Sequence, residues 1–318
     1  MREATRQLEA YIQDRFPARQ HLIAWLNFAR YQLGYSTLSK VVVGKSGWLF
    51  YNADGMGHFR GGRRATKAET QAWTAGYLQR DRFSRERGAA FFTLIAPEKP
   101  TIHPDKLPAW LRYSGPTATD DFVRAAAELG INTLVDPRGA LQARSSPLNY
   151  GRYDTHWNGN GAYVAYSQLM TRLAKHDPGL AALPQSAFQP SDLPAWAVPR
   201  DMALMLGIAD WVKHDHLSYA SWPIHDPSRT QFLGQRTDWT APQIITTDAR
   251  NQRVLLLIRD SFSLELLPFL KPHFETIILV HSQDGFFRPD LIERYRPSIV
   301  LLQIIESGLR HTMAPLPQ

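Results

Sequence analysis

The sequence predicts an α/β fold: one mainly parallel sheet covered by helices on both faces. Three observations lead there. From residue 67 onward, short apolar runs alternate with helical stretches, the pattern of right-handed βαβ units. Runs such as AAFFTLIAP (89–97) and RVLLLI (253–258) are apolar almost throughout, as in strands buried on both faces. No Gly/Ser or Pro linker interrupts the alternation. A single domain over 41–318 is therefore expected, after an N-terminal helical segment over 1–40.

Taken in order, residues 2–33 place Leu8, Tyr11, Ile12 and Phe16 at helical spacing, break at Pro17, and resume from Leu22 to Leu33. VVVGKSGWLFY (41–51) reads as a hairpin around a Gly-Lys-Ser-Gly turn. A phosphate-loop reading fails, because the upstream glycine is missing and a β run follows where a helix is required. Helices are expected over 67–87, 118–129, 159–175, 262–271 and 289–295. Strands are expected over 89–97, 131–136, 253–258, 275–280 and 298–305. The stretch 177–250 is Pro-rich and weakly periodic, carries Trp196, Trp211, Trp222 and Trp239, and reads as a long insertion of the lid or platform kind.

Composition narrows the function. The absence of cysteine excludes disulfides, thiolate metal sites and a Cys nucleophile. No run reaches the roughly 18 apolar residues of a membrane span, and the first 16 residues lack the apolar stretch of a signal peptide. The 36 Lys and Arg against 29 Asp and Glu give a net charge of +7, which favours anionic neighbours. Apart from short clusters such as RGGRR (60–64), the basic residues are scattered and no aromatic–basic motif accompanies them. A nucleic-acid partner is not expected.

Two segments could carry chemistry. In RVLLLIRDSFSLELLPFL (253–270), an apolar strand runs into Arg-Asp-Ser-Phe and then a helix. Ser261 thus sits at the carboxyl end of a parallel strand, where open α/β sheets place ligands. Unpaired amides and the helix dipole there would stabilise an oxyanion. The alternative is that Ser261 or Asp260 merely caps the helix. In GRYDTHWNGNGAY (151–163), Asp154 and His156 lie two apart, so in extended chain they point the same way. A Ser nucleophile needs an imidazole base, and the base needs a carboxylate; the alternative is an incidental surface histidine. Elsewhere His214, Asp215 and His216 (HDH), with His225, could bind a metal or form a solvated loop. Glu98 and Lys99 could line a cleft or be an ordinary exposed pair. The tryptophans of 177–250 could stack on sugar rings or fill the core.

The pieces VVVGKSGWLFY (41–51), IAPEKPTIHPDKLP (95–108), YDTHWNGNGAY (153–163), RDSFSLELLPFLKPHF (259–274) and SIVLLQIIES (298–307) together resemble the SGNH hydrolase-like superfamily. The narrower resemblance is to its alginate O-acetyltransferase type, the AlgJ/AlgX and DHHW-like group, and it spans about residues 10–310. It implies Ser261 as the acetyl-accepting nucleophile, His156 as its base and Asp154 as the orienting acid, with no cofactor or metal. It also implies a periplasmic enzyme, behind an N-terminal signal or anchor, that acetylates exopolysaccharide with acetyl supplied through a membrane-bound O-acyltransferase. Two positions depart from the pattern. Arg259 stands where many members have Gly, which bears on the oxyanion geometry, and Glu306-Ser307 stands where Glu-Arg is common. An inert scaffold that binds polysaccharide within a synthase complex is the reading from a different class.

Overall fold

The five apolar runs of the strand–helix alternation join one sheet, and the 41–51 hairpin forms a separate two-stranded one, in the computed structural model, which describes residues 19–52, 64–111, 115–144, 148–191, 197–213, 215–219 and 229–315. The first amphipathic run, the RGGRR cluster up to residue 63, Trp196, His214, Trp222 and His225 lie outside them. The second run is α1 (Arg19–Gln32), which turns Phe28 and Tyr31 inward. Strands β1 (Val41–Val43) and β2 (Leu49–Tyr51) form the hairpin, with Val42 opposite Phe50. Its turn holds Ser46 and Gly47 at φ 54° and 72°, the region glycine adopts at no steric cost. A Cβ on Gly47 would stand 2.2 Å from the Tyr31 hydroxyl, which donates to the Gly47 carbonyl. The Gly-Lys-Ser-Gly turn therefore docks the hairpin on α1.

The alternation follows. Helix α2 (Lys67–Arg85) opens on a capping box between Thr66 and Glu69. Next come β3 (Ala90–Ala96), α3 (Lys99–Ile102), α4 (Ala118–Glu128), β4 (Leu134–Val135), α5 (Arg138–Ala143) and α6 (Gly159–His176). The stretch read as an insertion contributes α7 (Asp201–Met205), β5 (Thr230–Phe232) and β6 (Gln243–Thr246). The chain ends through β7 (Val254–Arg259), α8 (Ser263–Leu270), β8 (Thr276–His281), α9 (Pro289–Tyr295), β9 (Ile299–Ile305) and α10 (Leu309–Thr312).

The strand order is β4-β3-β9-β7-β8-β6-β5, with β4, β3, β9, β7 and β8 mutually parallel. β6 runs antiparallel to β8, and β5 to β6, so the sheet is mixed at that edge. The sequence reading did not foresee these two strands: they are short and half-exposed, and carry no apolar run of their own. The run 131–136 shortens to two paired residues because it is an edge strand with one partner. Leu255, Leu257, Leu279 and Leu301 face α6 and α8, in one core cluster. Leu256, Ile258, Val280 and Leu302 face α2, α4 and α9 in another. Side-chain alternation along each buried strand fills both faces. The central strands β9, β7 and β8 thereby hold the carboxyl-end turns in fixed register.

Candidate active site

Ser261 follows directly from the carboxyl end of β7. The turn it occupies is clamped by Asp260, a partly buried carboxylate one residue earlier. Asp260 accepts from the Phe262 amide at 2.9 Å, Gln303 Nε2 at 2.8 Å and the Ile305 amide at 2.6 Å. These bonds lock the β7 turn to the end of β9. Helix α8 begins only at Ser263, with Phe262 in the cap position and no side-chain cap bond. Neither Ser261 nor Asp260 is the helix cap. Among the described residues no acceptor meets the Ser261 amide, leaving it available to a developing oxyanion.

The second segment enters from the other side of the cleft. Asn158 caps α6 by accepting from the amides of Asn160 and Gly161, which fixes the turn that presents His156. Trp157, fully buried, donates from Nε1 to the Phe262 carbonyl at 2.9 Å. The Phe262 ring meets the His156 ring edge-on, centroids 4.9 Å apart. The Asp-x-His loop and the serine turn are thus bolted together by the residues beside the polar groups.

His156 Nε2 lies 2.8 Å from Ser261 Oγ, and His156 Nδ1 lies 2.8 Å from Asp154 Oδ1. The three residues expected from the sequence come together in one hydrogen-bonded line. An ionised carboxylate only accepts, so Nδ1 carries the proton, and Nε2 of the neutral ring faces the serine as an acceptor. Burial alone would pull the imidazolium down. The Asp154 hydrogen bond and the charges of Asp154, Asp201 and Asp260 outweigh it, and the His156 pKa stands at about 9. For Asp154 burial works upward, but the bond and charge of His156 hold its carboxyl well below the usual range. Asp260 is pushed up by burial against the three donors that favour its charged form.

Sequence reasoning missed Asp201, the first residue of α7, whose Oδ2 lies 4.0 Å from His156 Nδ1. Nothing in the sequence links it to a motif 45 residues upstream. It also missed the Gln303 clamp, for which a lone amide in the apolar run SIVLLQII was the available signal. Lys99 is neither cleft-lining nor exposed. It is 2% accessible, and Nζ donates to the carbonyls of Leu49 and Arg152. Burial drops its pKa to about 7, against the opposing charges of Asp154, Asp201 and Asp215. Lys99 ties the hairpin to the chain just before Asp154. Glu98 donates its amide to Glu306 Oε1, which also accepts from the Thr101 hydroxyl.

Of the HDH group, Asp215 accepts from the Arg152 amide and His216 pairs with Glu265 at 3.1 Å. These are structural bonds that leave no ligand set among the described residues of the group. Arg259, fully buried, sends Nη2 to the Trp239 carbonyl at 2.5 Å, with its guanidinium 5.3 Å from that indole. Burial lowers its pKa to about 10 against the pull of Asp260. The side chain that replaces Gly thus packs under Trp239 and leaves the Ser261–His156 contact intact.

Comparison with known proteins agrees with this architecture. The described fold is similar to a DHHW family protein from Eubacterium siraeum (TM-score 0.57, 18% identity, 87% of this chain and 99% of that one). It is also similar to Bacillus cereus PatB1 carrying a sulfonyl adduct (0.60, 13%, 86% and 96%). A third likeness is to the O-acetyltransferase domain of Pseudomonas putida AlgJ (0.51, 18%, 85% and 92%). No curated protein sequence matches the chain. The family model for the SGNH hydrolase-like domain of the acetyltransferase AlgX matches residues 41–291. This match covers well over half of the chain, which therefore belongs to the AlgX-type SGNH hydrolase-like acetyltransferase family.

Proposed function

We propose that the chain O-acetylates a cell-surface polysaccharide through an acetyl-enzyme on Ser261, with His156 as general base and acid and Asp154 as its orienting carboxylate. The observation that carries this reading is the His156 ring bridging Ser261 Oγ and Asp154 Oδ1 at 2.8 Å on each side. Ser261 Oγ attacks the acetyl carbonyl while its proton passes to His156 Nε2. The donor oxygen then leaves with that proton, and acetyl stays on Ser261. An acceptor hydroxyl attacks next, losing its proton to His156, and Ser261 is released with the proton returned. Water in place of the sugar releases acetate, so small acetyl esters are hydrolysed as a side reaction. The Ser261 amide is the donor nearest to hand for the oxyanion of both tetrahedral intermediates.

The family supports acetyl transfer. Exopolysaccharide as acceptor, the periplasm as compartment and a membrane-bound O-acyltransferase as the acetyl source extend that reading. No helix of the described residues is long and apolar enough to cross a membrane. Inert scaffolding is the competing reading, which an arginine at 259 in place of Gly would fit. With that guanidinium seated against Trp239, the enzyme reading is favoured. Labelling with a sulfonyl fluoride and locating the adduct by mass spectrometry decides between them. An adduct on Ser261 that disappears in His156→Ala supports the enzyme. An unlabelled protein without esterase activity would establish the scaffold.

A further inference from the structure

We infer that Asp201 is a second carboxylate of the base: a positioning residue that holds the Asp154–His156 loop and shares with Asp154 the stabilisation of the His156 imidazolium. The inference rests on the proposed role of His156. Its basis is how the two segments are zipped. The Asp201 amide donates to Asp154 Oδ2 at 2.9 Å, and the Thr155 amide donates back to Asp201 Oδ1 at 2.8 Å. The Met202 amide also donates to Asp201 Oδ1, and to the Tyr153 carbonyl at 3.1 Å. Residues 153–155 and 201–202 are therefore joined reciprocally, each aspartate receiving the other segment's backbone. Both oxygens of Asp154 are engaged, one by His156 and one by Asp201. Asp201 Oδ2 is left 4.0 Å from His156 Nδ1, beyond a hydrogen bond but within strong Coulomb range.

Two like charges this close oppose each other. Asp201 is accordingly pushed up by burial and by the Asp154 charge, and protonation of His156 relieves that repulsion. The imidazolium that forms when Ser261 gives up its proton thus meets two carboxylates at Nδ1 in place of one. Asp154 remains the hydrogen-bonded partner. Asp201 keeps its side chain 39% accessible, so water screens it and its electrostatic share is the smaller. The other groups whose charge reaches His156 or Asp154 are Asp260 behind the serine turn, His216 beside Glu265, and Lys99 under the hairpin. None of these is zipped to the Asp-x-His loop by paired backbone bonds on both sides.

Asp201→Asn isolates the charge, because the amide oxygen still accepts from Thr155 and Met202. Two readouts are taken on it: the pH profile of acetyl-ester hydrolysis, and the His156 imidazole titration followed by NMR. The expected result is a His156 midpoint lower by about one pH unit. A kcat lower by about tenfold on the high-pH plateau with KM little changed, and a melting temperature near wild type, should accompany it. Asp201→Glu restores the midpoint toward wild type. Asp154→Asn retains activity above Ser261→Ala, and Asp154→Asn/Asp201→Asn falls to the Ser261→Ala level. An unmoved midpoint in Asp201→Asn overturns the inference, as does a kcat loss that only tracks a fall in melting temperature. If the wild-type chain hydrolyses no ester, the reaction assignment fails, while the NMR titration still reports on Asp201.

Discussion

At its carboxyl edge the sheet buries Asp154 and Arg259 and partly buries Asp260 around a partly exposed imidazole. At its amino edge it opens into a cavity of about 710 Å³ lined by Asp81, Arg85, Asn132, Arg172, Lys175 and His176, among others. No nucleophile–base pair lies among the residues that line this cavity. The difference follows from the direction of the helices. Those leaving the carboxyl edge point their N-termini at it: α8 starts two residues after Ser261, and α6 three after His156. Unpaired amides and positive dipole ends meet there, suited to oxyanions. The amino edge receives helix C-termini, and the basic residues closing α2 (Arg82, Arg85) and α6 (Lys175, His176) complement those negative ends. Its basic lining therefore has a structural reason that needs no ligand.

The sharpest way to break this comparison is mutation at both edges. Ser261→Ala and His156→Ala should each cost ~10³-fold or more in hydrolysis of a small acetyl ester. Arg172→Ala and Lys175→Ala, at the amino edge, should keep the wild-type rate. Steady-state kinetics on the four variants checks it. A reversed pattern would move the site to the large cavity.

Buried polar clamps should separate the edges next. Asp260→Asn turns one acceptor oxygen into a donor that faces Gln303 or the Ile305 amide, leaving a buried donor unmet. That costs about 1–3 kcal/mol and loosens the serine turn, so melting temperature and kcat fall together. Asp81→Asn breaks only a pairing with the exposed Arg85 and should stay within about 0.5 kcal/mol. Thermal denaturation of both variants is the measurement. Equal shifts would remove the special status of the Asp260 clamp.

The pH dependence has a defined sign. In the proposed reaction His156 acts as neutral imidazole, and its pKa of about 9 leaves most molecules protonated near neutrality. Ester hydrolysis should therefore climb through pH 7 and 8 and level off above about 9. Asp154→Asn removes the main charge holding that value up, so its residual activity should level off at lower pH. A profile flat between pH 6 and 9 in wild type would mean that His156 is not the titrating base.

How much of this was legible depended on how local the signal was. The five parallel strands showed because two-faced burial demands continuous apolar runs. Ser261, His156 and Asp154 showed because a strand–Asp-Ser–helix turn and an Asp-x-His step are short-range patterns. β5 and β6 did not, since short, half-exposed strands at the sheet's edge and next to it need no distinctive run. Asp201 did not, because its partnership with Asp154 is made by backbone bonds between distant segments. Lys99 read as exposed because its two carbonyl partners come from the hairpin and from Arg152, each about 50 residues away.

The smallest expected effect concerns Trp239, which the β5–β6 loop carries to the carboxyl edge because β6 runs antiparallel to β8. The loop is pinned to the segment after β8 by Arg236 on Asp284 at 2.6 Å and by Gln283 on Thr240 at 2.7 Å. Arg259 holds the Trp239 carbonyl from below, and His281 meets the indole edge-on at 5.1 Å. The residue is nonetheless 42% exposed. An aromatic face that is fixed and still wet suits stacking on a pyranose, worth about 1 kcal/mol. Trp222, the other tryptophan weighed for this role, lies outside the described residues. Trp239→Ala should therefore raise KM for a polysaccharide acceptor about fivefold. Small-ester hydrolysis needs only the serine, its base and the oxyanion donor, and should be unchanged. If Trp239 is instead a packing residue for Arg259, its removal uncovers the guanidinium that the ring covers, while the carbonyl bond remains. Both activities and the melting temperature then fall together, and measuring all three on the one variant separates the two outcomes.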